Sequence, residues 1–400
     1  MSYLLKLLEG FEIEWIPLAH KENGLAELSR GRVMSKEYLA ENAGKHPVYS
    51  SQTANNGEIG RINTFDYDGE FITWTTDGAN AGTVFHRTGK FSITNVCGLI
   101  KVKDTNKINY RFLFYWLSIE AKKYVYSGMG NPKLMSNQMA KVPIPVPPLS
   151  VQNEIVRILD KFTELTAELT AELTAELTAR KNQYAFYKEQ LFSFNEDEVE
   201  RELLGVIGEF QRGKRFVKDD MIAEGVPCIH YGEMYTFYGT WASKCKSFLS
   251  EVLVESKNLR IAVNGDVVIV AAGETIEDIG TGTAWLGDEG VVIHDACFSF
   301  RSQLNPKYVA YFTRTKQFHD QIKKYISSGK ISAINARGLE KALIPVPSPE
   351  EQERIVSILD KFDILTSSIS EGLPKEIELR KKQYEYYRDL LLTFPKKETV

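Results

Sequence analysis

An internal repeat constrains the fold of this chain more than any other feature of its sequence. The run Ile-Pro-Val-Pro at 144–147 recurs at 344–347, and the run at 155–162 recurs at 355–362 with a single difference. The offset is 200 residues in both cases. Outside these blocks the two halves have diverged. The chain is therefore predicted to alternate two variable domains with two copies of a shared block.

The shared block is predicted to be helical. Residues 166–177 of the first copy are three consecutive Thr-Ala-Glu-Leu units, uninterrupted by Gly or Pro. Such residues favour a helix, which we expect to run from about residue 151 to residue 192 with a length of roughly 63 Å. Just before these units, four apolar residues have the spacing of an amphipathic helix: Ile155, Ile158, Leu159 and Phe162.

The ends of the two predicted helices carry recognisable signals. Ser348, Pro349 and Glu351 match a capping box at the start of the second helix. Ser150 is expected to cap the first helix in the same way. The second copy also contains Gly and Pro at 372–374, which should kink or break it.

The variable segments are predicted to be α/β. Turn signals at Asn56-Gly57, Asp68-Gly69 and Asp77-Gly78 separate short apolar runs, which favours antiparallel strands. Helices are expected at 110–123 and at 306–325.

The repeat also predicts how these parts are arranged. Both helices leave their variable domains through the same Ile-Pro-Val-Pro sequence, so we expect them to run antiparallel around a pseudo-twofold axis. The predicted class is α+β, with two globular α/β domains separated by an antiparallel pair of long helices. The expected boundaries are 1–149 and 195–347 for the domains and 150–194 and 348–400 for the helical spacers.

Charge and composition exclude several classes of protein. No uncharged apolar run of membrane-spanning length and no signal peptide are found, so a soluble cytoplasmic protein with no membrane partner is expected. The four cysteines are scattered, which argues against a disulfide framework. The formal net charge is −4, but residues 1–150 carry 17 Lys and Arg against 14 Asp and Glu. Local basic faces could therefore still hold a polyanion.

The shared blocks resemble those of a known family. The Leu-Asp-Lys-Phe and Arg-Lys-x-Gln-Tyr signatures, the alternation of variable and shared segments and above all the tandem Thr-Ala-Glu-Leu units are similar to the specificity subunit of type I restriction-modification systems, subclass IC. The resemblance is specific at 144–194 and 344–394 and general elsewhere.

The resemblance implies a non-catalytic subunit that recognises double-stranded DNA. Two target-recognition domains would each read one half of a bipartite asymmetric site. The shared helices would set the spacer and dock two methyltransferase subunits, and a translocase-nuclease subunit would complete the restriction complex. Adenine methyltransferase and endonuclease activity would belong to that complex.

Motifs for catalysis are incomplete. Residues 208–214 have P-loop spacing, but Arg215 stands where a Ser or Thr should meet magnesium. The string Asn131 to Lys133 lacks the second Pro and the aromatic residue of an adenine methyltransferase motif. Asp266 and Glu274 lack the lysine element of a nuclease. No catalytic residue, metal site or cofactor is expected.

Candidate DNA contacts are polar or basic residues in segments that are predicted to form loops, from which base edges and phosphates could be reached. The first domain contributes Gln52, Asn55, Asn56, Thr75, Thr76, Asn80, His86, Arg87, Ser127 and Lys133. The second contributes Arg212, Lys214, Arg215, His230, Tyr231, Lys244, Lys246, Lys330 and Ser332.

Two other functions stay open at this point. The chain could be a structural adaptor whose variable domains bind proteins and whose helices act as a spacer. It could also be an orphan enzyme fused to such a spacer, which the incomplete catalytic motifs disfavour.

Overall fold

The computed structural model describes residues 6–128, 130–195, 197–329, 331–367 and 371–395. The chain divides into two compact units. Unit 1 contains the described residues up to Ala171 and those from Glu378 onward, and unit 2 contains Glu172–Ile377. Each unit combines a variable domain with part of both long helices.

Unit 1 is built on a six-stranded sheet with the strand order β2-β7-β5-β6-β3-β4, and β1 pairs with β8 separately. Short 3-10 turns lie at Ala54–Gly57 and Ala121–Tyr124. The elements are β1 Glu14–Pro17, β2 Ala26–Arg30, α1 Lys36–Glu41, β3 Ala43–Tyr49, β4 Glu58–Ile62, β5 Tyr67–Thr75, β6 Val84–Ile93, β7 Cys97–Val102, α2 Tyr110–Glu120, α3 Ser136–Met139, β8 Pro143–Val146 and the start of α4 Leu149–Leu191.

One face of this sheet is covered by α2 and by the first turns of α4. Trp74 of the sheet, Leu113 of α2 and Ile155 of α4 are fully buried in one cluster. The Trp74 indole N–H donates to the Leu134 carbonyl at 2.9 Å. The apolar stripe predicted for the first helix therefore begins as the contact between that helix and its own domain.

Unit 2 has the same kind of architecture with more, shorter elements. These are β9 Arg201–Leu203, α5 Leu204–Ile207, β10 Gly208–Arg212, β11 Val226–Ile229, α6 Glu233–Thr236, β12 Trp241–Ala242, β13 Ser247–Leu249, α7 Glu251–Ser256, β14 Ile261–Ala262, β15 Val267–Val270, β16 Ala272–Gly273, β17 Gly282–Trp285, β18 Val291–Ile293, β19 Cys297–Ser302, α8 Pro306–Phe312, α9 Lys316–Ile322, β20 Ser332–Ala333, α10 Ala336–Glu340, β21 Leu343–Pro345, α11 Pro349–Ser367 and the start of α12 Gly372–Leu391.

The sheet of unit 2 is split where that of unit 1 is continuous. Strand β6 pairs with both β5 and β3 of unit 1. In unit 2 the corresponding length is divided between β17, in a five-stranded sheet of order β10-β19-β15-β17-β12, and β18, in a four-stranded sheet of order β13-β11-β18-β14. The segment between them contains Gly287 and Gly290, which weaken a strand.

The predicted long helices are present. Helix α4 spans 43 residues and includes all three Thr-Ala-Glu-Leu units. In the second copy, α11 ends at Ser367 and α12 begins at Gly372, so the predicted break is confirmed. The Ser348 hydroxyl accepts the Glu351 N–H at 3.3 Å, which confirms the cap of α11.

Some local predictions were wrong. Ser150 does not cap α4, because the helix already begins at Leu149 and the carbonyl before it accepts the first N–H groups. Asp68-Gly69 is not a turn but lies within β5, where Gly69 faces Gly89 of β6. The single helix expected at 306–325 is interrupted because Thr315 caps a new helix, α9.

The long helices run antiparallel to each other within each unit. In unit 1, the Phe162 and Tyr387 rings are 5.8 Å apart, and the Thr163 and Tyr384 hydroxyls are 3.0 Å apart. In unit 2, the Phe362 ring stacks on Tyr184 and Tyr187. The last described residue also belongs to unit 1, where the Trp15 indole donates to the Pro395 carbonyl at 3.2 Å.

The same buried joint fastens a long helix to each domain. In unit 1, the Gln152 side chain accepts the Asn109 backbone N–H at 2.9 Å and donates to the Pro147 carbonyl at 2.7 Å. In unit 2, the Gln352 side chain accepts the Asn305 N–H at 2.9 Å and donates to the carbonyl five residues before it at 2.9 Å. Both glutamines are buried, so these bonds replace lost water contacts.

The remaining global features are simple. Within the described part of the chain, no helix is long and apolar enough to span a membrane. All four cysteines are free. Burial raises the pKa of the Cys97, Cys228 and Cys297 thiols to about 12, so these groups are unreactive core residues.

Candidate nucleic-acid interface

Three loops meet at one edge of the sheet in unit 1, and we call residues 50–57, 76–80, 126–128 and 130–134 the loop face of unit 1. The Leu134 N–H donates to the Thr76 carbonyl at 2.8 Å, which joins two of the loops. The Asn80 amide donates to the Thr53 hydroxyl at 3.2 Å, which joins the third. Distant parts of the sequence thus form one polar surface.

The backbone of this loop face depends on unusual conformations. Asn55 and Asn56 have φ values of 47° and 54°, and Gly57 has a φ of 81°. Asn tolerates the left-handed region better than most residues, and Gly adopts it freely. The Asn56-Gly57 turn predicted from the sequence is therefore present, and it leaves both asparagine side chains exposed.

The predicted contact residues of unit 1 divide by exposure. Thr75 and Thr76 are fully buried, and their hydroxyls donate to backbone carbonyls of Asn80 and Val96. The exposed members, all on the loop face, are Gln52, Asn55, Asn56, Asn80, Ser127 and Lys133.

Arg87 and His86 lie on opposite faces of β6. Arg87 is buried and donates to the Asn56 carbonyl at 2.7 Å, with its guanidinium 3.6 Å from the centre of the Tyr49 ring. Arg87 therefore stabilises the backbone of the loop face at Asn56 from within the domain. His86 is half-buried beside Phe114 of α2, and its ring nitrogen is 2.6 Å from the Glu70 carboxylate. The structure does not bring His86 to the loop face.

Unit 2 has a loop face at the same edge, formed by residues 212–218, 229–232, 271–274, 293–296, 327–329 and 331–333. Here the loops enclose an open cavity of about 420 Å³. Four of the predicted contact residues line it: Arg212, Arg215, His230 and Tyr231. The structure thus brings together residues that the sequence offered only as separate weak candidates.

The cavity wall is aromatic. The rings of His230 and His294 have centroids 4.7 Å apart, and Tyr231 lies 4.6 Å from His230. Phe216 packs edge-on against His294 at 5.1 Å. Burial lowers the pKa of both histidines below the ordinary value of 6.5, so both rings are neutral at pH 7.

The other predicted residues of unit 2 do not line this cavity. Lys244 and Lys246 are exposed between β12 and β13, and the Lys246 ammonium lies 5.4 Å from the centre of the Phe237 ring. Lys214 donates to the Lys257 carbonyl at 3.3 Å. Ser332 is buried in β20, and Lys330 lies outside the described residues.

Strand register relates the two loop faces position by position. The Thr94 N–H donates to the Tyr49 carbonyl at 2.9 Å, and the His294 N–H donates to the Ile229 carbonyl at 3.3 Å. The residues that follow these two carbonyls are Ser50 and His230. Ser50 and Thr94 in unit 1 therefore occupy the positions of His230 and His294 in unit 2.

The same register identifies a residue that sequence reasoning missed. Arg30 pairs with Gly98 at the end of β2, and Arg212 pairs with Phe298 at the end of β10. Arg30 is exposed, and its guanidinium donates to the Thr76 hydroxyl at 2.7 Å. The Arg-Gly dipeptides at 30–31 and 212–213 were the available signal, but their offset differs from that of the repeat.

Comparison with protein families gives a double match. The model described as type I restriction modification DNA specificity domain matches residues 21–179 and 196–379. The EcoR124I/EcoR124II specificity subunit of Escherichia coli is 34% identical over 425 residues, covering 100% of this chain and 99% of that protein. A putative type I specificity subunit of Mycoplasma pneumoniae, S.MpnORF507P, is 32% identical over 383 residues, covering 95% and 99%.

Solved structures show the same fold. A chain from a structure on complex assembly and conformational transition of the type I R-M system has a TM-score of 0.68 at 14% identity, covering 95% of this chain and 97% of that chain. The HsdS subunit from Thermoanaerobacter tengcongensis has a TM-score of 0.52 at 15% identity, covering 95% and 94%.

Proposed function

This chain belongs to the family of type I restriction-modification DNA specificity subunits, and we propose that each of its two units reads one half of a bipartite asymmetric DNA target. The chain is the DNA-recognition subunit of such a system, a non-catalytic component that assembles with the other subunits. The half-site assignment is our own inference.

One observation carries this assignment. The two loop faces occupy equivalent positions in strand register, yet they present different side chains, such as Thr94 against His294. Base readout depends on which donors, acceptors and apolar groups a surface presents to the base edges. Two such surfaces would read two different sequences, as a bipartite asymmetric target requires.

The predicted contact residues fall into two proposed roles. The exposed ones would contact DNA directly, with Arg212 and Arg215 close to phosphates or guanine edges, and Arg30, which the sequence did not predict, would act in the same way. The buried ones would position the loops: the side chains of Thr75, Thr76 and Arg87 already bond within the domain, and Ser332 is buried in β20, where it pairs with Gly273.

The partners are proposed from the duplicated helices. Two equivalent aromatic pairs lie on them, Phe186 with Tyr187 and Tyr386 with Tyr387, and Phe186 and Tyr386 are 60% and 65% exposed. Exposed aromatic pairs are typical of protein interfaces. We propose that two methyltransferase subunits dock on these helices and that a translocase-nuclease subunit completes a complex with adenine methylation and restriction activity.

The proposal is tested by methylation mapping of the assembled system. The chain would be produced with its methyltransferase subunits, and modified adenines in host DNA located by single-molecule sequencing. We expect one motif with two defined half-sites, an undefined spacer and a modified adenine in each half, together with two methyltransferases per chain in the active complex. A protein-binding adaptor would give neither sequence-specific DNA binding nor such a motif, and a single methyltransferase per chain would contradict the docking model.

A further inference from the structure

The loop face of unit 2 contains a cavity, which a surface that only reads base edges in the groove does not require. Base edges in the major groove are read by side chains that project into the groove. Here the loops enclose an opening of about 420 Å³ that is lined by Phe216, His230 and His294. We propose that this cavity receives one unstacked base of the bound DNA, an inference that rests on the proposed function.

The wall has the chemistry that an unstacked base requires. Bases taken out of a duplex are held by stacking on aromatic side chains and by hydrogen bonds to their edges. His230 and Tyr231 are half-buried, so their rings are partly open to the cavity that they line. Both histidines are uncharged, and a neutral imidazole stacks on a base without the cost of desolvating a charge.

Hydrogen-bond donors are also available in the cavity. The His230 Nδ1 accepts the Gly232 N–H at 3.3 Å, so in the neutral ring the proton is on Nε2. Within the described residues, neither this N–H nor the Tyr231 hydroxyl has a hydrogen-bond partner. The exposed Glu274 and the half-buried Asp295 supply acceptors on the lining. A base edge could therefore be paired on both its donor and its acceptor atoms.

The rim is cationic where the nucleotide's phosphates would lie. Arg212, Arg215 and Lys218 are exposed and line the cavity. Arg212 is held by a 2.9 Å bond from its Nε to the Asp295 carbonyl and lies over the Phe298 ring at 5.8 Å, and its terminal nitrogens have no hydrogen-bond partner in the described chain. Guanidinium groups suit phosphate recognition because they present several donors in one plane.

Unit 1 supplies the internal control. At the positions of the two histidines it has Thr94 and Ser50, whose hydroxyls bond to each other at 2.9 Å. These small groups satisfy one another and offer no ring surface for stacking. Unit 2 therefore holds one unstacked base of its half-site, and unit 1 holds no base of its own half-site in this way.

The test is a mismatch scan of binding by the chain assembled with its methyltransferase subunits. Extruding a base costs less when its pair is already broken, so a mismatch at the extruded position should tighten binding by about tenfold. Each position of both half-sites is replaced in turn by a mismatch and by an abasic site. We expect one tightened position in the unit 2 half-site besides the modified adenine, and about tenfold weaker binding when that position is abasic.

Variants distinguish an effect of the cavity from an effect of the methyltransferase, which acts on the adenine that it modifies. His230→Ala and Tyr231→Ala should abolish the tightening at the extra position and leave the response at the modified adenine unchanged. Tyr231→Phe removes only the hydroxyl and should keep most of the effect if stacking dominates. Ser50→Ala, at the matching position of unit 1, should leave the scan of the unit 2 half-site as it is.

The outcomes are distinct. Sequence-specific binding with no tightened position other than the modified adenine would overturn the cavity inference and leave the proposed function intact. An extra tightened position that persists in both alanine variants would assign the base to another pocket and overturn the inference as well. Absence of any sequence-specific binding would overturn the proposed function itself. Quenching of the chain's fluorescence by free deoxynucleotides, lost in Tyr231→Ala, would reassign the cavity to a mononucleotide.

Discussion

The two loop faces have the same strand register but differ in the chemistry of their side chains. Ser50 and Thr94 form a hydroxyl pair in unit 1, and His230 and His294 form a ring pair at the same positions in unit 2. The backbone register around both pairs is the same. Strand pairing therefore fixes where a side chain is presented, and the residue at that position decides what it could recognise.

Close backbone contacts maintain the shared arrangement. The Gly31 N–H donates to the Cys97 carbonyl at 3.4 Å, and the Gly213 N–H donates to the Cys297 carbonyl at 3.0 Å. A Cβ atom on Gly31 would lie 1.9 Å from the Ile93 carbonyl oxygen, and one on Gly213 would lie 2.2 Å from the His294 carbonyl oxygen. Each unit thus requires glycine after its arginine, Arg30 or Arg212, while the neighbouring positions are free to vary.

Exchange of a whole domain should produce the largest change in the DNA sequence that the protein recognises. Replacing residues 1–143 by the corresponding domain of a relative should change one half-site completely and leave the other unaltered, because each loop face lies within its own unit. Methylation mapping of the hybrid reads both half-sites at once. A change in both would mean that the two units do not read independently.

Deletion of one Thr-Ala-Glu-Leu unit, residues 170–173, should leave both half-sites readable and change only their spacing. Four residues correspond to about 6 Å of helix rise and roughly 40° beyond a full turn. One base pair adds about 3.4 Å and roughly 35°. The rotations match better than the rises, so we expect the spacer between the half-sites to shorten by one base pair. An unchanged spacer in the methylation map would show that the repeat does not set the spacing.

Sequence reasoning captured the shared parts of this molecule better than the variable ones. The helices were predictable because capping, periodicity and helix breakers such as Gly372 act locally. The cavity was not predictable, because it depends on which strands are neighbours. Arg212, His230 and His294 are far apart in sequence and meet only through the pairing of β10, β11, β18 and β19. Asp68-Gly69 failed as a turn because cross-strand pairing with β6 overrides the local preference of this dipeptide.

Substitutions at the two buried joints test whether Gln152 and Gln352, which have equivalent geometry, also both contribute to the free energy of unfolding of their own units. Gln152→Leu and Gln352→Leu each leave a backbone N–H and the carbonyl five residues earlier without a partner in a buried site, at a cost of about 3 kcal/mol. Gln152→Leu also removes a 3.0 Å bond from the side chain to the Lys107 carbonyl, so in urea titrations both variants should destabilise their own units, and Gln152→Leu by the larger amount. Gln183→Leu, a half-buried site on α4 outside either joint, is the comparison. A loss for either joint variant no larger than that for Gln183→Leu would show that the equivalence is only geometric.

Arg30 and Arg212 should make equal, smaller contributions to DNA binding. Each is an exposed cation at the end of an equivalent edge strand. If each meets one phosphate, Arg30→Ala and Arg212→Ala should each weaken binding about fivefold and reduce the slope of log K against log salt by about 0.9. The sequence preference should not change. A loss confined to one base position would instead assign that arginine to base readout.

Mild acid should destabilise unit 2 through the pair of His230 and His294, which unit 1 lacks. This is the smallest of the effects predicted here. Burial lowers the pKa of His230 and His294 in the folded state, so below their ordinary value of 6.5 the unfolded chain binds protons first. Their contribution to stability is complete above pH 6.5 and is lost as the pH falls toward the folded-state pKa values. The charged groups that act on these rings are Lys218, Glu233, Asp295 and Arg215.

The double substitution of His230→Ser and His294→Thr gives unit 2 the side chains of unit 1 and isolates this effect. His319, whose pKa is also lowered by burial, is present in both proteins, and so is Asp363, whose pKa is raised by burial and which acts in the opposite direction. Between pH 7 and pH 5 the unfolding midpoint of unit 2 should therefore fall in the wild type and fall less in the double variant. Equal slopes would mean that both rings are protonated as easily in the folded protein as in the unfolded chain, and the wall of the cavity would then be charged in mild acid.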